Sequence, residues 1–269
     1  MNANPWQLYD DLIDLVPADL RVSAWALGEV ALVRDDAGGC GIASRQRSGP
    51  SVGDPMPRTG ERLRDVAALV KSWDFATASL GSAALNCALN TSARVTALSG
   101  SGTSTGDRDV FARDAPRLRG RRVAMVGHFS HGIRALEGLC DLTVLERDPR
   151  GDDLPDPACE YVLPACDAVY ITGMTLANKT LPRLAALSAQ ARTVLTGPSS
   201  PFAPEVLPGW GIDQIAGSWV TDAGLAADLV AHGATLPRTR PATRRFSAAL
   251  AGTVAVPRAP EALRGRSRR

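Results

Sequence analysis

His128 is the side chain in this sequence best placed to do acid–base chemistry. It follows Gly127 at the end of the short apolar run Val123-Ala-Met-Val126. Imidazole titrates near neutral pH, so His128 is the natural proton carrier, with capping or packing as the plainer alternative. A second short apolar run, Leu142-Thr-Val-Leu145, ends in Glu146. That acid lies about 20 residues past Gly127, the offset at which dinucleotide-type folds hold a ribose hydroxyl. Gly127 and Phe129 flank the histidine, so the full Gly-x-Gly-x-x-Gly fingerprint is missing. A ligand bearing a sugar or other polyol fits this better than a pyrophosphate pressed against the backbone. Arg147 and Asp152 follow in a loop, able to orient a charged substrate or to pair with each other. Thr172, Gly173, Thr175, Asn178 and Thr180 bring neutral donors and acceptors to a helix start, which favours a carboxylate or phosphate there. Gly197, Pro198 and Ser199 end a further run. In the first half, Asn86 and Asn90 lie one turn apart on a helix whose face is small: Gly81, Ala83, Ala84 and Ala88. These amides can cap neighbouring backbone or reach a ligand. His128 and His131 are three apart, but a lone His-x-x-His is a poor ligand set, and no spacing forces Cys140 or Cys166 beside it. No metal site is assigned, and no Ser-His-Asp order, Walker loop or paired-carboxylate motif stands out.

These groups need elements to position them. The order strand, helix (130–139), strand implies a parallel, right-handed βαβ unit, although such a pair can also exist without any nucleoside. Further buried runs at 165–172, 192–196 and 212–216, with helices near 177–187 and 222–231, extend a parallel sheet. Ligands of open parallel sheets sit beyond the carboxyl ends of the strands. The strand ends would then form one rim: Gly127-His128, Glu146-Arg147, Thr172-Gly173 and Gly197-Pro198-Ser199. The first half reads differently. A helix opens at Asn4-Pro5, runs of 22–27, 30–33 and 41–44 read as an antiparallel meander, and helices follow at 61–72 and 76–90. The expected organisation is α/β: a small α+β domain over 1–98, a linker over 99–118, a Rossmann-like parallel-sheet domain over 119–236, and a basic tail over 237–269, poorly ordered or peripheral.

Composition bounds the rest. The chain has 269 residues, 45% hydrophobic and 22% charged, as for an ordinary soluble protein. No run is long and apolar enough to cross a bilayer, and no secretory signal is visible, so the cytoplasm is expected. Five scattered cysteines argue against a disulfide framework. Residues 237–269 hold nine arginines and one acid, Glu261, a local +8 that leaves −6 for the other 236 residues. The body therefore carries no nucleic-acid footprint, and no membrane contact is expected.

As an ordered set, several segments resemble the heavy-metal-chelation family: Val126-Gly-His-Phe129, Glu146-Arg147-x-Pro149-x-Gly151-Asp152, Thr172-Gly173-x-Thr175-Leu176-x-Asn178-x-Thr180 and Thr196-Gly-Pro-Ser199. In the first half Trp6-x-x-Tyr9-Asp10, Ser72-Trp73 and Gly81-x-Ala83-x-x-Asn86 match too. The resemblance covers roughly residues 5–235. It implies an enolase-N-terminal-like domain followed by a Rossmann-like domain, with a site at their interface. The Rossmann-like half of that family is partly similar to S-adenosylmethionine-dependent methyltransferases. The implied roles are direct metal chelation or synthesis of a chelating small molecule. The expected function is thus an enzyme, transferase- or lyase-like, using S-adenosylmethionine or a similar nucleoside ligand to make a metal-binding metabolite. The rival is a non-catalytic protein that captures a metal or metal complex. His128 and Asp152 are the catalytic candidates, the rim residues hold the cofactor, and Asn86 and Asn90 face the substrate. A homodimer is compatible with this reading.

Overall fold

The computed structural model describes residues 4–47, 49–50, 52–53, 55–98, 103–106 and 109–250. Helix α1 (Trp6–Asp14) buries Leu8, Tyr9, Leu12 and Ile13. The Asn4 side chain accepts the Trp6 N–H at 3.1 Å, as the Asn-Pro opening suggests. Strands β1 (Val22–Leu27), β2 (Val30–Asp35) and β3 (Cys40–Ser44) form the expected antiparallel meander. Helices α2 (Leu63–Ala68), α3 (Phe75–Leu89) and α4 (Ser92–Leu98) follow.

Helix α3 is the pillar of the first unit. Asp74 caps it by accepting the Thr77 N–H at 2.9 Å. Nearly every residue along it is buried, so the helix is apolar all round rather than striped. Its small residues let neighbouring backbone approach. A Cβ at Gly81 would stand 2.0 Å from Val70 N, and one at Gly41 of β3 would stand 2.2 Å from Ala83 O. The meander is buried on both sides. Ala31, Val33 and Ala43 belong to the core around α3, whereas Val30, Leu32 and Ile42 pack with Ala226 and Val230 of the second unit. That explains why β2 is a continuous apolar run although its sheet is antiparallel.

The second unit is an eight-stranded sheet. In chain order its strands are β4 (Ser104–Thr105), β5 (Arg122–Val126), β6 (Asp141–Glu146), β7 (Leu154–Pro155), β8 (Ala168–Thr172), β9 (Arg192–Thr196), β10 (Gln214–Val220) and β11 (Thr243–Ala249). Their spatial order is β4-β11-β10-β9-β8-β5-β6-β7. The six strands β5 to β10 are parallel to their neighbours among themselves. Numbered along the chain, they have the 3-2-1-4-5-6 order of dinucleotide-binding sheets, with the direction of winding reversing between β5 and β8. Helices α5 (Val110–Leu118), α6 (Ser130–Leu136), α7 (Cys159–Val162), α8 (Met174–Ala177), α9 (Leu181–Leu187) and α10 (Ala223–Ala231) connect and cover the strands. The fold is α/β.

Three expectations need correction. The stretch taken as a linker over 99–118 contains β4 and α5, and α5 is locked to the sheet by buried Asp114, which accepts from Tyr170 Oη at 2.9 Å and pairs with Arg192 at 3.1 Å. The strand read at 212–216 runs from Gln214 to Val220. Residues 237–250 are not a peripheral tail: β11 pairs antiparallel with β10 over seven residues and buries Phe246 and Ala248. The Arg-rich composition hid a strand, paired on both sides, in which Arg244 and Arg245 precede the buried run Phe246–Ala248. The tail expectation for 251–269 lies outside the described residues.

Candidate functional site

A cavity of about 800 Å³ opens at the carboxyl ends of the parallel strands, where the residues after β3 face the rim. That volume suits a drug-sized or cofactor-sized molecule. Two matching turns shape its floor. Gly127 ends β5 with φ 105° and donates to Leu145 O at 2.8 Å; Gly197 ends β9 with φ 102° and donates to Ala216 O at 2.9 Å. Both need the left-handed freedom of glycine. The Phe129 ring lies against both: a Cβ on Gly127 would stand 3.3 Å from it and one on Gly197 3.7 Å. The ring occupies ground that a glycine-rich loop would leave open to a pyrophosphate.

Glu146 is at the carboxyl end of β6. One oxygen accepts the His128 N–H at 2.8 Å and the other the Arg147 N–H at 2.7 Å. His128 Nδ1 lies 2.8 Å from Asp153 Oδ2, and Asp153 also accepts the Arg150 N–H at 3.1 Å. With Nδ1–H donated to that carboxylate, Nε2 is the nitrogen left to take a proton. A second pair stands nearby: His131 Nε2 is 2.9 Å from Asp109 Oδ2. Burial alone would raise the Asp109 carboxyl, but hydrogen bonds from His131 and Phe111 N, with the Arg245 charge, hold it below its ordinary value. Arg147 pairs with Asp156 at 3.1 Å and lies 5.7 Å over the Phe75 ring.

The structure brings together Gly127, His128, Phe129, Glu146, Arg147, Thr172, Thr175, Asn178, Gly197, Pro198 and Ser199 around this cavity. Some of them spend their hydrogen bonds locally. Thr175 Oγ1 donates to Thr172 O at 2.6 Å, and Asn178 Oδ1 accepts from Thr180 Oγ1 at 2.6 Å. Other expected residues stand outside the lining. Asp152 is exposed, and its neighbour Asp153 is the acid that reaches His128. Gly173 packs on the backbone of Ser199 and Ser200. Asn86 donates to Ile42 O at 2.8 Å and Pro198 O at 2.9 Å. Asn90 donates to Ser200 O and Ser218 O, both at 3.0 Å, and accepts from Phe202 N at 2.7 Å. The paired amides therefore bind backbone: they fasten the end of α3 to β3, to the segment after β9 and to β10 itself. Ser199 Oγ completes the joint by accepting the Ser44 N–H at 2.8 Å.

Sequence reasoning missed Asp153, the His131–Asp109 pair and the lining residues Ser218, Arg240 and Arg245. Asp153 was hidden by a one-residue ambiguity in an Asp-Asp loop. The His131–Asp109 pair depends on how α5 and α6 pack, and Ser218 and Arg245 meet only through the β10–β11 register, which a long connection leaves unmarked.

The donors around the cavity do not fit a resident heavy-metal ion. His131 spends its Nε2 on Asp109, and burial pushes the Cys159 thiol up to about 12, disfavouring the thiolate a soft metal needs. Among the described residues, no three His, Cys, Asp or Glu side chains gather in a ligand-like group. No helix of the described residues is long and apolar enough to cross a membrane.

Two family models match the chain. DUF364, described as "Putative heavy-metal chelation", matches residues 109–248, and DUF4213, with the same description, matches residues 9–89. The chain belongs to the DUF364 family. A crystal structure of a DUF364-family protein of unknown function from Desulfitobacterium hafniense is 34% identical, covers 91% of this chain and 98% of its own, and superposes with a TM-score of 0.80. A second family structure, from Pyrococcus horikoshii, is 19% identical over 91% of this chain and 99% of its own, with a TM-score of 0.69, and shares the fold. An uncharacterized protein of Methanocaldococcus jannaschii is 34% identical over 108 residues, 38% of this chain; the match spans 42% of that relative's length.

Proposed function

We propose that this DUF364-family protein is an enzyme that binds S-adenosylmethionine or a similar nucleoside-bearing ligand in the interface cavity and acts in the biosynthesis of a metal-chelating metabolite. The observation that carries the reading is the place of Glu146. It ends the second strand of a 3-2-1-4-5-6 sheet and lines the cavity beyond Gly127, where an acid takes ribose hydroxyls in sheets of this order. Two backbone N–H groups fix its carboxylate and leave lone pairs for hydroxyl donors. The Phe129 ring, between Gly127 and Gly197, offers an apolar surface in the same cavity. When bound, S-adenosylmethionine supplies an electrophilic carbon on its sulfonium. His128, oriented by Asp153, takes a proton at Nε2 from the attacking group. The family description then concerns the product, since the cavity's donors do not suit a bound metal ion.

Calorimetric titration with S-adenosylmethionine and S-adenosylhomocysteine tests this. One equivalent should bind, and Glu146→Ala should weaken binding at least tenfold, about 1.4 kcal/mol. Absence of binding by either ligand, or indifference to the substitution, sinks the proposal. The arginine-rich lining favours a second reading, capture of an anionic metal complex; stoichiometric metal in the purified protein would select it.

A further inference from the structure

The cavity has a second end, on the side of β10 and β11. Ser218 and Arg245 are direct partners in the antiparallel register. Directly opposed residues put their side chains on one face of the sheet, with Cβ atoms about 5 Å apart. Both line the cavity, together with Arg240 from the turn before β11 and Arg45 from beyond β3. Ser218 is 7% exposed, and its buried hydroxyl has no hydrogen-bond partner among the described residues. Proteins seldom leave a buried hydroxyl unmet, and a cavity-lining one is met by whatever enters. The Ser218 backbone is held from across the interface, because Asn90 Nδ2 donates to its carbonyl at 3.0 Å.

Arginines outnumber acids in the lining of the cavity. Arg45, Arg240 and Arg245 face the space. The acid beside them, Asp109, accepts from His131 and from Phe111 N and also feels the Arg245 charge. We infer that this end of the cavity is an oxyanion subsite for the carboxylate or phosphate group of the substrate. Ser218 Oγ donates one hydrogen bond to the anion, and the guanidinium groups of Arg245 and Arg240 supply charge and paired N–H donors. The inference rests on the proposed reading in one respect: the anion belongs to a molecule lying beside the nucleoside in the same cavity.

The test is calorimetric titration of the full chain at low salt with citrate, inorganic phosphate and S-adenosylhomocysteine in turn. At least one of the two anions should bind one to one. Ser218→Ala should weaken it about fivefold and Arg240→Ala or Arg245→Gln about tenfold. Glu146→Ala, which removes a carboxylate from the lining, should not weaken anion binding. Tighter binding of citrate assigns a carboxylate, and tighter binding of phosphate assigns a phosphate group. Arg245 sits within the sheet, so Ser218→Ala and Arg240→Ala decide the matter if Arg245→Gln does not fold. Failure of both anions to bind, or equal binding by Ser218→Ala, Arg240→Ala and wild type, overturns the subsite. Adenosyl binding without anion binding defeats this inference and spares the nucleoside reading; anion binding without adenosyl binding does the reverse.

Discussion

At the scale of single residues, most reactive side chains are made quiet by their surroundings. His131 Nε2 is committed to Asp109, whereas Asp153 takes only the Nδ1 side of His128. Burial pushes the thiols of Cys40 and Cys159 up to about 12 and that of Cys166 up to about 11. At Cys40 burial dominates, the nearby Arg34 charge opposes it and Asp35 adds to it. These shifts set the sign of a pH dependence. Above the ordinary thiol value of 9.0 the unfolded chain releases protons that the folded chain keeps. The unfolded state then binds fewer protons, so stability is intact below that value and is lost as pH rises toward about 12. The urea midpoint should decline over this window, and Cys40→Ala should make the decline shallower by about 1.4 kcal/mol per pH unit. Identical slopes for the variant and wild type would contradict the assignment.

At the scale of elements, much was legible because local rules and the fold agree. β1, β2, β5, β6, β8 and β9 are short apolar runs stopped by Gly, Thr or an acid, and each is a strand. The small face of α3 was legible as a place of close approach, though what it approaches was not. The expected helix at 177–187 is broken into α8 and α9 around Lys179, whose φ is 66°. Nothing in the apolar spacing signals a non-glycine residue in that conformation. The close approach itself can be measured. A methyl on Gly81 meets backbone, Val70 N at 2.0 Å, which cannot rotate aside. Gly81→Ala should cost about 2 kcal/mol or more in denaturant unfolding, as overpacking of a fixed core does. Gly209, in the turn Leu207–Trp210, has open space around it and no left-handed φ, so Gly209→Ala should stay within about 0.5 kcal/mol of wild type. Equal effects would remove the case that α3 is held by backbone contact.

At the scale of the molecule, the two units share one apolar core, and the cavity exists because they do. Asn86 and Asn90 tie the end of α3 to the segment after β9 and to β10, and Val30, Leu32 and Ile42 of the small sheet rest on α10. The rim of strand ends was legible from the sequence because each end carries its own stop signal. The far end of the cavity was not, because β11 looks like a basic tail and its pairing with β10 is settled only by tertiary contact. Phe246 decides between those descriptions. It is 3% exposed, packs edge-on to Phe202 at 5.3 Å and stacks on Trp219 at 5.9 Å. In a peripheral tail its truncation would change stability by no more than about 0.5 kcal/mol. As a core ring between two aromatic neighbours, Phe246→Ala should cost about 3–5 kcal/mol. Urea unfolding followed by tryptophan fluorescence reads this directly, because Trp219 loses its stacking partner. The same variant should weaken ligand binding at the Ser218 end more than at Glu146, since β11 carries Arg245 one residue before the deleted ring.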